Sequence, residues 1–97
     1  MTCEVHVMPQ APGVFHVQCQ SDEETTSHFV TVPESLLDQI GLPRLDPMHL
    51  VEATFAYLLE REPSSSIWPE MDLGDLARFF PRYVAEMRDR LRAGGGS

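Results

Sequence analysis

Two cysteines and four histidines are the residues in this chain with the most chemistry to offer, and two of each fall in its first 19 positions. Cys3, Cys19, His6 and His16 could in principle make a Cys2His2 zinc site. Their spacing argues otherwise, since neither C-x-x-C nor H-x3-H occurs. Their placement on strands argues further. Cys3 to Met8 alternates apolar and polar residues, Val14 to Gln20 does so again, and Pro9 to Gly13 between them reads as a turn. A hairpin that keeps apolar residues together sets Val7 opposite Phe15, Val5 opposite Val17 and Cys3 opposite Cys19. His6 then faces His16, and Glu4 faces Gln18, on the other side. A slip of one residue would mix the two faces. Cysteines and histidines on opposite faces cannot share one tetrahedral ion. The expectation is no metal, no cofactor and two buried reduced thiols. A disulfide between directly opposed strand residues is geometrically restrictive and disfavoured in a reducing compartment. His6 and His16 read as a solvated cross-strand pair rather than a pH switch.

Catalytic sets are equally thin. The chain has no Gly-rich phosphate loop, no G-x-S-x-G elbow and no H-E-x-x-H. Ser64, Ser65 and Ser66 are nucleophiles by type, but no neighbour in sequence is a base to activate them. Glu60 and Glu62 flank Arg61 and Pro63 at a helix end, where such a run makes surface ion pairs. The chain is not expected to be an enzyme.

The elements that would carry these residues are legible. After the hairpin and the acidic loop Ser21–Ser27, His28 to Val32 reads as a third strand. Val30 and Val32 argue for burying one of its faces and Phe29 for the other. Leu36, Leu37 and Ile40 share one side of a short helix that Gly41 ends. Asp46 and Pro47 supply an N-cap and N1 for the main helix, Met48–Arg61, with Val51, Phe55, Leu58 and Leu59 inward and Pro63 as its stop. Asp72 caps a helix carrying Leu73, Leu76, Ala77 and Phe80. Pro81 opens the last, with Tyr83, Val84, Met87 and Leu91 on one side and arginines on the rest. The fold class is α+β: a three-stranded antiparallel meander followed by three to four helices, one domain over residues 1–93 with a flexible tail at 94–97.

Charge narrows the partners. All seven basic residues are arginine, a bias that fits a GC-rich coding genome, against 15 acids, for a net charge of −8. Residues 1–77 carry −11 and residues 78–97 carry +3. An acidic body repels nucleic acid and anionic membrane. No apolar stretch is long enough to span a bilayer, and the N-terminus lacks a signal-peptide pattern, so a cytoplasmic location is expected.

Trp68, Phe79, Phe80, Pro81 and Tyr83 form the densest aromatic cluster. The simpler reading has Trp68 and Phe80 sealing the core. However, Phe79 and Phe80 diverge by about 100° on a helix, so both cannot be buried deeply. Aromatics and arginine are enriched in interface hot spots, which makes Trp68, Phe79, Arg82, Tyr83 and Arg88 the candidate partner surface.

Two resemblances follow. Leu58-Leu59-Glu60-Arg61-Glu62-Pro63, then Ser66-Ile67, then Phe80-Pro81-Arg82-Tyr83 resembles a pattern in small bacterial proteins of no established activity; it covers the second half of the chain and implies a bacterial source. His28–Val32, Pro33–Gly41 and Asp46–Arg61 resemble the strand, short helix and longer helix of ribbon-helix-helix regulators. That resemblance implies a dimer with paired strands in the DNA major groove, or an antitoxin-type regulator. The strand has no Arg or Lys to reach bases. The leading expectation is a non-catalytic protein-interaction or regulatory module, acting on a protein partner or as a homodimer, with nucleic acid disfavoured.

Overall fold

The computed structural model describes residues 4–95. Alternation in its first third produces β1 (Glu4–Ala11), β2 (Val14–Gln20) and β3 (Thr25–Thr31), an antiparallel meander. The parity of the hairpin is as the apolar pattern demands, but its register differs by two residues. Val5 opposes Cys19, Val7 opposes Val17, His6 opposes Gln18, and Met8 opposes His16. A two-residue shift preserves both faces, so hydrophobic alternation cannot detect it; the turn decides. Pro12 and Gly13, with Gly13 at φ 75, close a two-residue loop. Pro9 is not a breaker here. It lies in edge strand β1, where a missing N–H is tolerated, beside an irregularity between Pro9 and Ala11. His6 and His16 are therefore not a pair. The expected pairing of Cys3 lies outside the described residues, while Cys19 is fully buried.

The third strand starts earlier than expected and resolves its own ambiguity. His28, Val30 and Val32 are buried, and Phe29 points outward. A fourth strand, β4 (Glu70–Asp72), pairs parallel to β3, giving sheet order β1-β2-β3-β4. Three residues are too few to show a period, which hid β4 in the sequence.

Helices α1 (Glu34–Ile40), α2 (Pro47–Leu59), α3 (Leu73–Phe79) and α4 (Pro81–Gly95) cover one face of the sheet, and Ser64–Ser66 adds a 3-10 turn. Their ends follow local chemistry. The Asp46 carboxylate accepts from the Met48 N–H at 3.0 Å, and Asp72 accepts from the Gly74 N–H at 2.7 Å. Gly41 adopts φ 87 beyond α1, letting the Leu42 N–H reach the Leu37 carbonyl at 2.9 Å. The core gathers Phe15, Val17 and Val30 from the sheet with Ile40, Leu50 and Phe55 from the helices.

One polar cluster sits inside. The Thr54 hydroxyl donates to the Leu50 carbonyl at 2.7 Å, so the Tyr83 hydroxyl donates to Thr54 Oγ1, also at 2.7 Å. Burial pushes the Tyr83 phenol well above its ordinary value and keeps it a donor, the Thr54 hydrogen bond opposing only in part. Tyr83→Phe removes this α2–α4 bond without emptying the site. It should cost about 1 kcal/mol, lowering Tm by roughly 4–8 °C in a thermal melt. An unchanged Tm would show that the bond adds nothing net.

Candidate functional site

Trp68 reaches the surface because of what happens on either side of it. Ile67 has extended backbone and sends its side chain into the core, so the next side chain points away. Pro69 follows, and the Trp68 carbonyl is held from inside by His28, whose Nδ1 lies 2.8 Å away. A carbonyl only accepts, so Nδ1 carries the hydrogen. Nε2 lies 3.0 Å from Thr26 Oγ1, a hydroxyl that can pair with it in either direction. The imidazole also packs against Phe55 at 5.3 Å between centroids. The adjoining Pro69 carbonyl accepts from the Phe29 N–H at 2.8 Å. The loop is thus pinned to β3 at two successive carbonyls, and the indole is left 58% exposed.

The expectation that Trp68 and Phe80 seal the core is overturned. Phe80 is 49% exposed and Phe79 67%. Leu73 and Leu76 follow the helical spacing into the core, but the run stops before Phe80. Pro81 forces the residue before it out of the helical region, and Phe80 sits at φ −121, ψ 93. Its ring leaves the buried stripe and forms one wall of a groove of about 280 Å³. Trp68 forms another wall. Leu58, Ile67, Met71 and Leu76 make the floor, with Arg61 and Glu62 at the rim.

The expected partner residues are thereby divided. Trp68 and Tyr83 line this groove together, but Tyr83 is 1% exposed and belongs to the core, so it offers no surface ring. Phe79 and Arg82 are exposed outside the groove. Arg88 is half-buried and committed elsewhere: Nε donates to the Ile40 carbonyl at 2.7 Å and Nη2 to the Gln39 carbonyl at 3.2 Å. It closes the C-terminal end of α1, whose last carbonyls have no helical partner. Leu58, Arg61, Phe80 and Met71 are among the groove residues absent from the expected surface. The Leu58–Pro63 run and the residue before Pro81 were the available signals.

The rim is fixed by charge and aromatic contacts. Arg61 lies 4.1 Å from the Tyr57 ring centroid and Arg90 5.4 Å. Arg90 bridges Glu60 at 2.7 Å and Glu86 at 3.1 Å, so the helix end expected to make ion pairs makes one across to α4. The Arg90 hydrogen bond, aided by the charges of Arg90 and Arg61, holds the Glu60 carboxyl below its ordinary 4.5.

The arrangement offers shape and apolar surface but little chemistry. Among the described residues, no three His, Cys, Asp or Glu side chains converge to hold a metal, and no helix is long and apolar enough to cross a membrane. No family model matches the chain, and no curated protein or solved structure matches it either.

Two outcomes are expected. His28→Ala leaves the Trp68 carbonyl without its donor and a gap beside Phe55; it should cost roughly 2–4 kcal/mol in a urea unfolding titration. A loss under about 0.5 kcal/mol would show that the pin is dispensable. The second concerns acid. A carboxyl whose folded value is depressed stabilises above its unfolded value, and that contribution is lost as pH falls through the folded value. Urea midpoints measured downward from pH 4.5 should therefore fall more steeply for the native chain than for Glu60→Gln. Parallel curves would remove the Glu60–Arg90 pair from the account.

Proposed function

We propose that this chain is a non-catalytic protein-interaction or regulatory module of the bacterial cytoplasm whose contact surface is the Trp68–Phe80 groove, engaging a protein partner or a second copy. One observation carries the reading. Trp68 and Phe80, each about half exposed or more, wall an apolar groove, and the exposed Phe79 lies outside it, next to Phe80 in sequence. Monomeric domains rarely leave such surface open without use, and buried aromatic anchors dominate binding energy when a partner covers them. The absence of a nucleophile–base pair in the sequence supports a binding role over a catalytic one.

The ribbon-helix-helix reading receives less support. Its strand must pair across a dimer, yet over Phe29–Thr31 one side of β3 is paired with β2 and the other with β4. The acidic charge of residues 1–77 opposes phosphate as well.

Site-directed photo-crosslinking in the source cell tests the proposal. A benzoylphenylalanine in place of Phe80 should yield one discrete adduct, either the dimer mass or one partner, and Trp68→Ala should abolish it. The same adduct pattern from a crosslinker at Arg92, or no adduct at all, would overturn the groove as the contact surface.

A further inference from the structure

The helices cover one face of the sheet and leave the other open. On β3, the outward residues Thr25, Ser27, Phe29 and Thr31 are all exposed. Strand register aligns Met8, His16, Phe29 and Glu70 in one row across all four strands. Met8 is 46% and Phe29 48% exposed, and the His16 ring lies 5.1 Å from that of Phe29. The row does not stop at β4. Phe29 and Trp68 line a shallow concavity of about 450 Å³ with Glu70, Asp72 and Asp75, so the open face is continuous with the indole that also walls the groove.

Charge decides what this face can receive. Among the described residues, no basic side chain forms an ion pair with Glu70, Asp72 or Asp75. Arg78, on the same helix as Asp75, is exposed and makes none. Asp72 is half-buried, and one of its oxygens caps Gly74. Elsewhere three arginines are engaged in the fold: Arg88 on the end of α1, Arg90 on Glu60 and Glu86, Arg61 against Tyr57. Two aromatic rings beside three uncompensated carboxylates attract a guanidinium or ammonium group through ring quadrupole and Coulomb terms together. Exposed rings on a sheet are also how single-stranded nucleic acid is stacked, but a polyanion would meet the −11 of residues 1–77.

We infer that the open sheet face around Phe29 and Trp68 docks an arginine-bearing segment of a partner protein. The inference rests on the interaction-module reading and adds the partner's chemistry. Phe29 lies outside the groove and Phe80 outside the concavity, so the two fail separately.

The test uses an alternating glycine–arginine peptide, with oligouridylate as the competing probe. Affinity is measured by titration calorimetry, and emission from Trp68, the only tryptophan, reports contact directly. Phe29→Ala should weaken peptide binding about fivefold or more, as should Glu70→Gln with Asp75→Asn, whereas Phe80→Ala leaves it within about twofold. Asp22→Asn with Glu23→Gln removes the same charge from the distant loop and should also stay within about twofold. All these sites are exposed, and unchanged melting confirms the fold. Equal losses from the Asp22/Glu23 variant would reduce the effect to diffuse charge and overturn the proposal. Tighter binding of oligouridylate would overturn it too, as would self-association abolished by Phe29→Ala. Loss of peptide binding in Phe80→Ala but not in Phe29→Ala would sink this face and leave the groove standing.

Discussion

The imidazole of His28 is the constraint on which the Trp68 loop and the elements after it depend. It is 2% exposed, on the buried side of β3 beside Val30, and it has a protein partner for each ring nitrogen. A buried polar group is tolerated only when paired, so the loop at Trp68 must come to it. Once the Trp68 carbonyl is fixed there, the Pro69 carbonyl meets the Phe29 N–H and β4 enters the sheet beside β3. Asp72 at the end of β4 then caps α3, which carries Leu73 and Leu76 into the core and delivers Phe80 to the groove. A side chain on β3 therefore joins the Thr54–Tyr83 and Arg88 contacts in holding the second half of the chain against the first.

Much of this architecture was legible, and where it was not the reasons are physical. Helix α1 followed from Leu36, Leu37, Ile40 and a left-handed Gly41; α2 followed from Asp46, Pro47 and its apolar stripe. Those signals are local and need no knowledge of the rest. The hairpin was legible only modulo two, because alternation constrains the face and not the partner, and Pro12-Gly13 chose between equivalent registers. Strand β4 was not legible, since three residues show no period and its partner β3 is distant in sequence. The site divided the same way. Trp68, Phe79 and Arg82 are exposed as a partner surface requires, whereas Tyr83 was misplaced because a helical stripe does not reveal which member meets Thr54. Phe80 was misplaced because the helical period was extended one residue past the point where Pro81 ends it.

The charge asymmetry acquires a structural meaning that composition could not supply. The basic C-terminal segment looked like a candidate surface. In the fold, Arg88 and Arg90 are internal fasteners, one closing α1 and the other joining α4 to α2. Carboxylates on the β4–α3 side receive no such compensation. Surface ion pairs contribute little each, but bidentate or bridging arginines hold geometry. The molecule thus uses Arg88 and Arg90 to set helix positions and leaves the carboxylates of Glu70 and Asp75 without a cation among the described residues.

This division explains why the two exposed surfaces differ in kind. The groove is walled by Trp68 and Phe80 on an apolar floor, with the tethered Arg61 at its rim, so what it offers is shape and area. The sheet face combines rings with carboxylates that no cation among the described residues pairs, so what it offers is charge. Trp68 belongs to both, and its backbone is immobilised by His28 rather than by a surface contact. An aromatic side chain with a fixed origin loses little freedom when covered, which favours its use as an anchor. The same pin that assembles the fold therefore lowers the entropic cost of binding at the junction of its two open surfaces.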